Sequence, residues 1–140
     1  MLTLQDISDR LEIQDLLARY SAAIDTRSWD DLDDLFTVDA QVDYTETGGI
    51  AGSLAEQKAY FAQVLPRFKG SQHLTATSTI VVQGDQARVK TVCFNPMVVD
   101  DQQVYFVGLW YRDVLVRTST GWRFQERYEI KSWDFHTGSR

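Results

Sequence analysis

The chain has one cysteine, two histidines and two prolines in 140 residues, and these scarcities remove whole classes of explanation. A lone Cys93 excludes an internal disulfide framework and suits a reducing compartment. With only His73 and His136, and neither an HExxH pair nor paired cysteines, the chain lacks a metal-ligand set, so neither metal nor cofactor is expected. No apolar run approaches the roughly 18 residues of a membrane span. The N-terminal MLTLQDISDR lacks the basic and apolar segments of a signal peptide, so no membrane partner is expected and the location should be cytoplasmic. Basic residues do not cluster, and a formal net charge of -6 argues against a nucleic-acid partner. Gly48-Gly49-Ile50-Ala51-Gly52 has neither GxGxxG spacing nor a phosphate-loop lysine, and no nucleophile-elbow serine is present, so phosphate and acyl-enzyme chemistry fall away. Any chemistry must use side chains alone.

What is present is an ordinary globular composition, 44% hydrophobic and 24% charged, with length for one core. A single domain is expected over residues 1–135, with 136–140 as a polar tail. The organising stretch runs from Glu12 to Phe36. Ile13, Leu16, Leu17, Tyr20 and Ile24 fall on one helical stripe and predict a buried face that ends near Thr26. Ser28 with Asp31 predicts a cap for a short second helix, and Ser53 with Glu56 a capping box for a third, reaching about Phe68. Gln41–Thr45 alternates as a short strand. From Ser71 onward the period becomes two, with turn signals at Gly84-Asp85, Asp100-Asp101 and Ser119-Thr120-Gly121. The predicted fold class is α+β: a curved, mainly antiparallel sheet wrapped around three N-terminal helices, enclosing a cone with a pocket at its open end.

Asp25 follows the apolar Ala22-Ala23-Ile24, where pattern alone would not put a carboxylate. His73 begins the first long strand, with Thr75, Thr77 and Thr79 expected on one face. A carboxylate beside an imidazole fixes its tautomer and stabilises the imidazolium, which would make His73 a general base. The bland alternatives are a structural histidine and an aspartate that closes its own helix. Tyr20 and Tyr44, both expected to face inward, are candidate donors to a substrate oxygen. Phe106, Trp110 and Trp133 belong to an aromatic-rich second half that predicts an apolar cavity or a subunit interface. Arg127 lies among Glu126, Glu129 and Lys131, where solvated cross-strand pairs compete with a role as pocket cation.

The blocks EIQDLLARYSAAIDTRSWDDLDDLFTVDAQVDYT, SQHLTATSTIVVQGDQARV, LWYRD and GWRFQERYEIKSW, in this order, resemble the SnoaL-like branch of the nuclear transport factor 2-like superfamily. The pattern is most similar to the scytalone dehydratase and hexachlorocyclohexane dehydrochlorinase families. The resemblance implies a cone-shaped α+β barrel, a catalytic pair at Asp25 and His73, and a substrate-polarising tyrosine at Tyr44. It places a dehydrochlorinase lysine at Tyr20 and an arginine at Arg127. Ile24 stands where the dehydratases carry a second tyrosine, and Thr91 or Asn95 falls near the position of their additional histidine. The implied activity is a cofactor-independent, dehydratase-like lyase acting on a small hydrophobic cyclic or polyketide-like substrate. An isomerase or aldol cyclase using the same pocket, and a non-catalytic ligand-binding or assembly module, are the alternatives. A homo-oligomer, dimer or trimer, is also implied.

Overall fold

The computed structural model describes residues 1–138; Ser139 and Arg140, the end of the expected tail, lie outside the described residues. Helix α1 spans Leu4–Asp25 and starts in a capping box, with the Thr3 hydroxyl accepting from the Asp6 amide and the Asp6 carboxylate accepting from the Thr3 amide. Its expected stripe is buried, from Ile13 through Leu16, Leu17 and Tyr20 to Ile24. Arg27 follows at φ 58°, a left-handed conformation that turns the chain off the helix axis.

The expected second helix is a 3-10 turn, Trp29–Leu32, and Ser28 makes no side-chain cap bond. Asp30, Asp31, Asp33 and Asp34 crowd this segment with poor helix formers. The tight turn instead lets Leu32, Leu35 and Phe36 be buried. Helix α2, Leu54–Val64, has the expected Ser53–Glu56 capping box and gives way to a 3-10 turn at Leu65–Arg67, where Pro66 falls. There are thus two α-helices among the described residues, rather than three.

Seven strands form one curved mixed sheet: β1 Phe36–Asp43, β2 Ala51–Ser53, β3 Gly70–Ser71, β4 Leu74–Gln83, β5 Gln86–Val98, β6 Val104–Thr118 and β7 Gly121–His136. The order is β2-β1-β7-β6-β5-β3, with β4 also paired to β5. Only β1 with β7 is parallel; the other pairs are antiparallel. The three turn signals fall between β4, β5, β6 and β7 as expected. His136 is not in a tail. It ends β7, and its ring stacks on Tyr105 at 4.0 Å.

α1 lies on the concave face, where Tyr111 and Phe124 are completely buried with their rings 6.0 and 5.9 Å from that of Tyr20. Burial of each such side chain contributes about 1.5–3 kcal/mol. Asp9, one turn before the apolar stripe, is buried too and accepts two hydrogen bonds from Arg117, at 2.6 and 2.9 Å, and one from the Trp122 indole at 3.1 Å. The Arg117 bonds hold its carboxyl at about 2, below the usual 3.8, against the opposing effect of burial. This contribution to stability is therefore present above about pH 4 and is lost as pH falls through about 2. Asp9→Ala leaves the indole N–H unpaired and is expected to cost about 2–3 kcal/mol in urea unfolding. A loss below half a kcal/mol would show that this end of α1 is not pinned.

Candidate active site

α1 delivers Asp25 at its last turn, where the helix dipole disfavours a carboxylate. Three donors from the β3–β4 connection offset that cost. Asp25 Oδ2 accepts the His73 backbone N–H at 2.7 Å, and Oδ1 lies 2.7 Å from His73 Nδ1 and accepts the Ser71 hydroxyl at 3.1 Å. Burial works to raise the Asp25 carboxyl, but the His73 hydrogen bonds and charge, together with Ser71, outweigh it and hold the carboxyl below its usual value. An ionised Asp25 selects the tautomer with the proton on Nδ1 and leaves Nε2 with its lone pair. The His73 side chain is only 7% exposed and forms part of a cavity wall.

The cavity occupies about 250 Å³ at the open end of the cone. That is below the roughly 300–1,000 Å³ usual for drug-sized ligands. Ile24, Phe61, Leu65, Met97, Val107 and Leu109 supply apolar wall. Tyr20 and Tyr44, from α1 and the end of β1, meet with their hydroxyls 2.5 Å apart, and both are buried. Burial pushes both phenols well up, so both are neutral donors at ordinary pH. One of the two protons is used between them, and the other can be given to a substrate oxygen.

Asn95 also lines the cavity, and its buried Oδ1 accepts no hydrogen bond among the described residues. Thr91 does not line it. It is buried deeper along β5, with its hydroxyl 2.8 Å from that of Ser78. The β4 bulge between Thr75 and Ser78 also breaks the expected threonine face: Thr75 pairs with Cys93, whereas Thr79 pairs with the outward Lys90.

Arg127 is not a pocket cation. Its side chain is fully buried with the guanidinium 4.1 Å from the Tyr20 ring, 3.7 Å from Tyr111 and 4.4 Å from Phe124, and its nearest carboxylate is Asp113 at 3.7 Å. Phe106, Trp110 and Trp133 are likewise absent from the cavity wall. On β6 the inward residues are Tyr105, Val107, Leu109 and Tyr111, which sends Phe106 and Trp110 to the outer face. There Phe94 and Phe106 stack at 5.8 Å, and Lys90 sits 4.3 Å above Trp110. A register shift between Gly108 and Leu109 makes Ser132 an extra residue on β7, which turns Trp133 outward over Gly108.

The inward position on β7 that faces the cavity is Glu129, paired with Tyr111. The Thr47 hydroxyl is hydrogen-bonded to its Oε2. Burial raises the Glu129 carboxyl, against the lowering effects of Thr47, His73 and Arg127. Sequence reasoning missed this residue by grouping it with solvated charges. A signal existed in the order of the strand: if Arg127 faces inward, alternation carries Glu129 with it.

A curved sheet closed over one long helix is the architecture of the nuclear transport factor 2-like superfamily, and here a carboxylate–imidazole pair stands at the rim of its cavity. The SnoaL-like domain family matches residues 5–128, and the chain belongs to that family. An uncharacterised protein of Mycobacterium tuberculosis is 50% identical over 133 residues, covering 94% of this chain and 90% of its own. Among solved structures, a Novosphingobium aromaticivorans protein assigned as an aromatic ring hydroxylase is 27% identical, with a TM-score of 0.85 over 94% of each chain. A second protein from that organism, assigned as a scytalone dehydratase, has a TM-score of 0.86 at 19% identity, over 99% of this chain and 94% of its own. The hexachlorocyclohexane dehydrochlorinase of Novosphingobium barchaimii has 0.84 at 18%, over 98% and 95%. At these last identities the likeness is one of fold.

Proposed function

We propose that the protein is a cofactor-independent lyase of the dehydratase type, acting on a small hydrophobic cyclic or polyketide-like carbonyl compound. The observation that carries this reading is the 2.7 Å contact between Asp25 and His73 Nδ1, with the imidazole at the wall of a mainly apolar cavity. His73 Nε2 takes a proton from the carbon beside the carbonyl, and Asp25 stabilises the imidazolium that results. The Tyr20–Tyr44 pair donates to the carbonyl oxygen as it gains negative charge, in a site where apolar walls exclude water and strengthen the bond. Departure of a group from the next carbon completes the elimination.

The tyrosine pair favours a second reading equally well, an isomerase in which the same enolate is reprotonated at another carbon. Both begin with one proton abstraction, so the first test addresses that step alone. Incubation of 1-indanone and 1-tetralone in D2O is expected to show enzyme-dependent deuterium incorporation beside the carbonyl, read by NMR and lost in His73→Ala. Binding of either ketone without exchange above the buffer rate would leave a ligand-binding module as the better account. For a turned-over substrate, loss of water in the product mass separates elimination from isomerisation.

A further inference from the structure

Elimination of hydroxide from a neutral molecule needs a proton for the departing oxygen, because hydroxide is a poor leaving group. The Tyr20–Tyr44 pair is committed to the carbonyl in the reading above, and His73 has to start unprotonated on Nε2. Among the described residues that line the cavity, Glu129 is the one with a carboxyl group.

Its place in the cavity wall and its burial bear on where its proton lies. Thr47 Oγ1 lies 3.0 Å from the Tyr44 carbonyl oxygen and also contacts Glu129 Oε2. A threonine hydroxyl owns one proton, the Tyr44 carbonyl can only accept it, and a carboxyl can accept it or donate its own. The Thr47–Glu129 contact can run in either sense: Thr47 donates to a carboxylate, or, with the Thr47 proton on Tyr44, a protonated Oε2 donates to Thr47 Oγ1. The raised Glu129 carboxyl, pushed up first by burial, agrees with a protonated state.

Resting on the His73 reading, we propose that Glu129 is the general acid of this site, that it protonates the departing oxygen, and that the substrate is a small uncharged β-hydroxy ketone. In the step, His73 Nε2 takes the α-proton and the Cα–H bonding pair moves toward the carbonyl as an enolate, which then returns as the new Cα=Cβ bond. The Cβ–O bond breaks, its pair staying on oxygen, and the Glu129 proton converts that oxygen to water. Glu129 is left as carboxylate and His73 as imidazolium. Transfer of one proton from His73 to Glu129 through the product water restores both. No oxidant or reductant enters, and an unprotonated Glu129 would repel an anionic leaving group.

The test compares two leaving groups on one skeleton. The probes are 4-hydroxy-4-phenylbutan-2-one and its acetate ester, which share an α-proton and yield the same enone, detected by ultraviolet absorption. Glu129→Gln keeps the shape and a donor N–H but has no transferable proton. It is expected to lower dehydration by about 100-fold or more, while acetate loss and deuterium exchange at the α-carbon change by less than about threefold. Equal losses on both probes, or an undiminished dehydration rate, would overturn the role of Glu129 while leaving His73 as base. Absence of exchange in the wild-type protein overturns the His73 reading and this inference with it. Independently of any substrate, the infrared difference spectrum of wild type minus Glu129→Gln at neutral pH should contain the carbonyl band of a protonated carboxylic acid. A carboxylate band in its place also overturns the proposal.

Discussion

His73→Ala is expected to lower turnover by about 10²–10⁴-fold while leaving ligand affinity nearly unchanged, since the imidazole is only one part of a mostly apolar wall. The loss should appear in kcat, with KM and the circular dichroism spectrum close to wild type. Asp25→Asn should approach the same loss by a different route. An amide can present its N–H to Nδ1, which moves the histidine proton to Nε2 and removes the lone pair that the reaction needs. It also replaces the charged acceptor of the His73 backbone N–H and the Ser71 hydroxyl. A His73→Ala protein that retains most of its turnover would end the case for the dyad, whatever the 2.7 Å contact suggests.

The largest stability effect is expected at Arg127. Its side chain and that of Asp113 are both fully buried, and among the described residues neither makes a hydrogen bond within normal geometry. Arg127→Ala removes the charge facing Asp113 and the atoms packed on Tyr20, Tyr111 and Phe124, and should cost about 3–5 kcal/mol in urea unfolding. Arg127→Met combined with Asp113→Leu removes both charges and should recover most of the loss. A single-variant cost below about 1 kcal/mol would mean that the pair contributes little.

The same pair makes stability depend on pH. Burial raises the Asp113 carboxyl from 3.8 to about 7, with Arg127 working in the opposite direction. The folded state thus holds this proton more tightly than the unfolded chain. The stability gained from it is fully present below about pH 4 and is lost as pH rises toward 7. In Arg127→Ala nothing opposes the rise, so wild type and variant should lose stability in parallel up to about pH 7 and the deficit of the variant should widen above it.

Much of the fold was legible because its signals are local. The stripe from Ile13 to Ile24, the Ser53–Glu56 box and the turn signals at Gly84, Asp100 and Gly121 each depend on neighbours in sequence. The short helix after Ser28 failed because Ser28 makes no cap bond and the body that follows is rich in aspartate. Asp25 and His73 were legible as residue types in suspicious places, yet their contact joins a helix end to a strand start 48 residues apart. The outward aromatics could not be placed, because alternation divides a strand into two faces without saying which is inside. Bulges then exchange the faces partway along. On β7 unbroken alternation from Arg127 would carry Trp133 inward, and Ser132 reverses it.

The other β7 irregularity, at Gln125, has an evolutionary consequence. It shifts the inward set from Trp122 and Phe124 to Arg127 and Glu129, so one extra residue separates the packed base of the cone from its reactive mouth. Substitutions at the mouth can alter chemistry while the base keeps the fold. Regular alternation through a retained Gln125, with the bulge lost, would instead turn Glu126, Tyr128 and Ile130 inward together and carry Arg127 and Glu129 to the outer face. Descendants of this chain are therefore free to exchange residues near Glu129, provided that the bulge at Gln125 is kept or lost together with its extra residue.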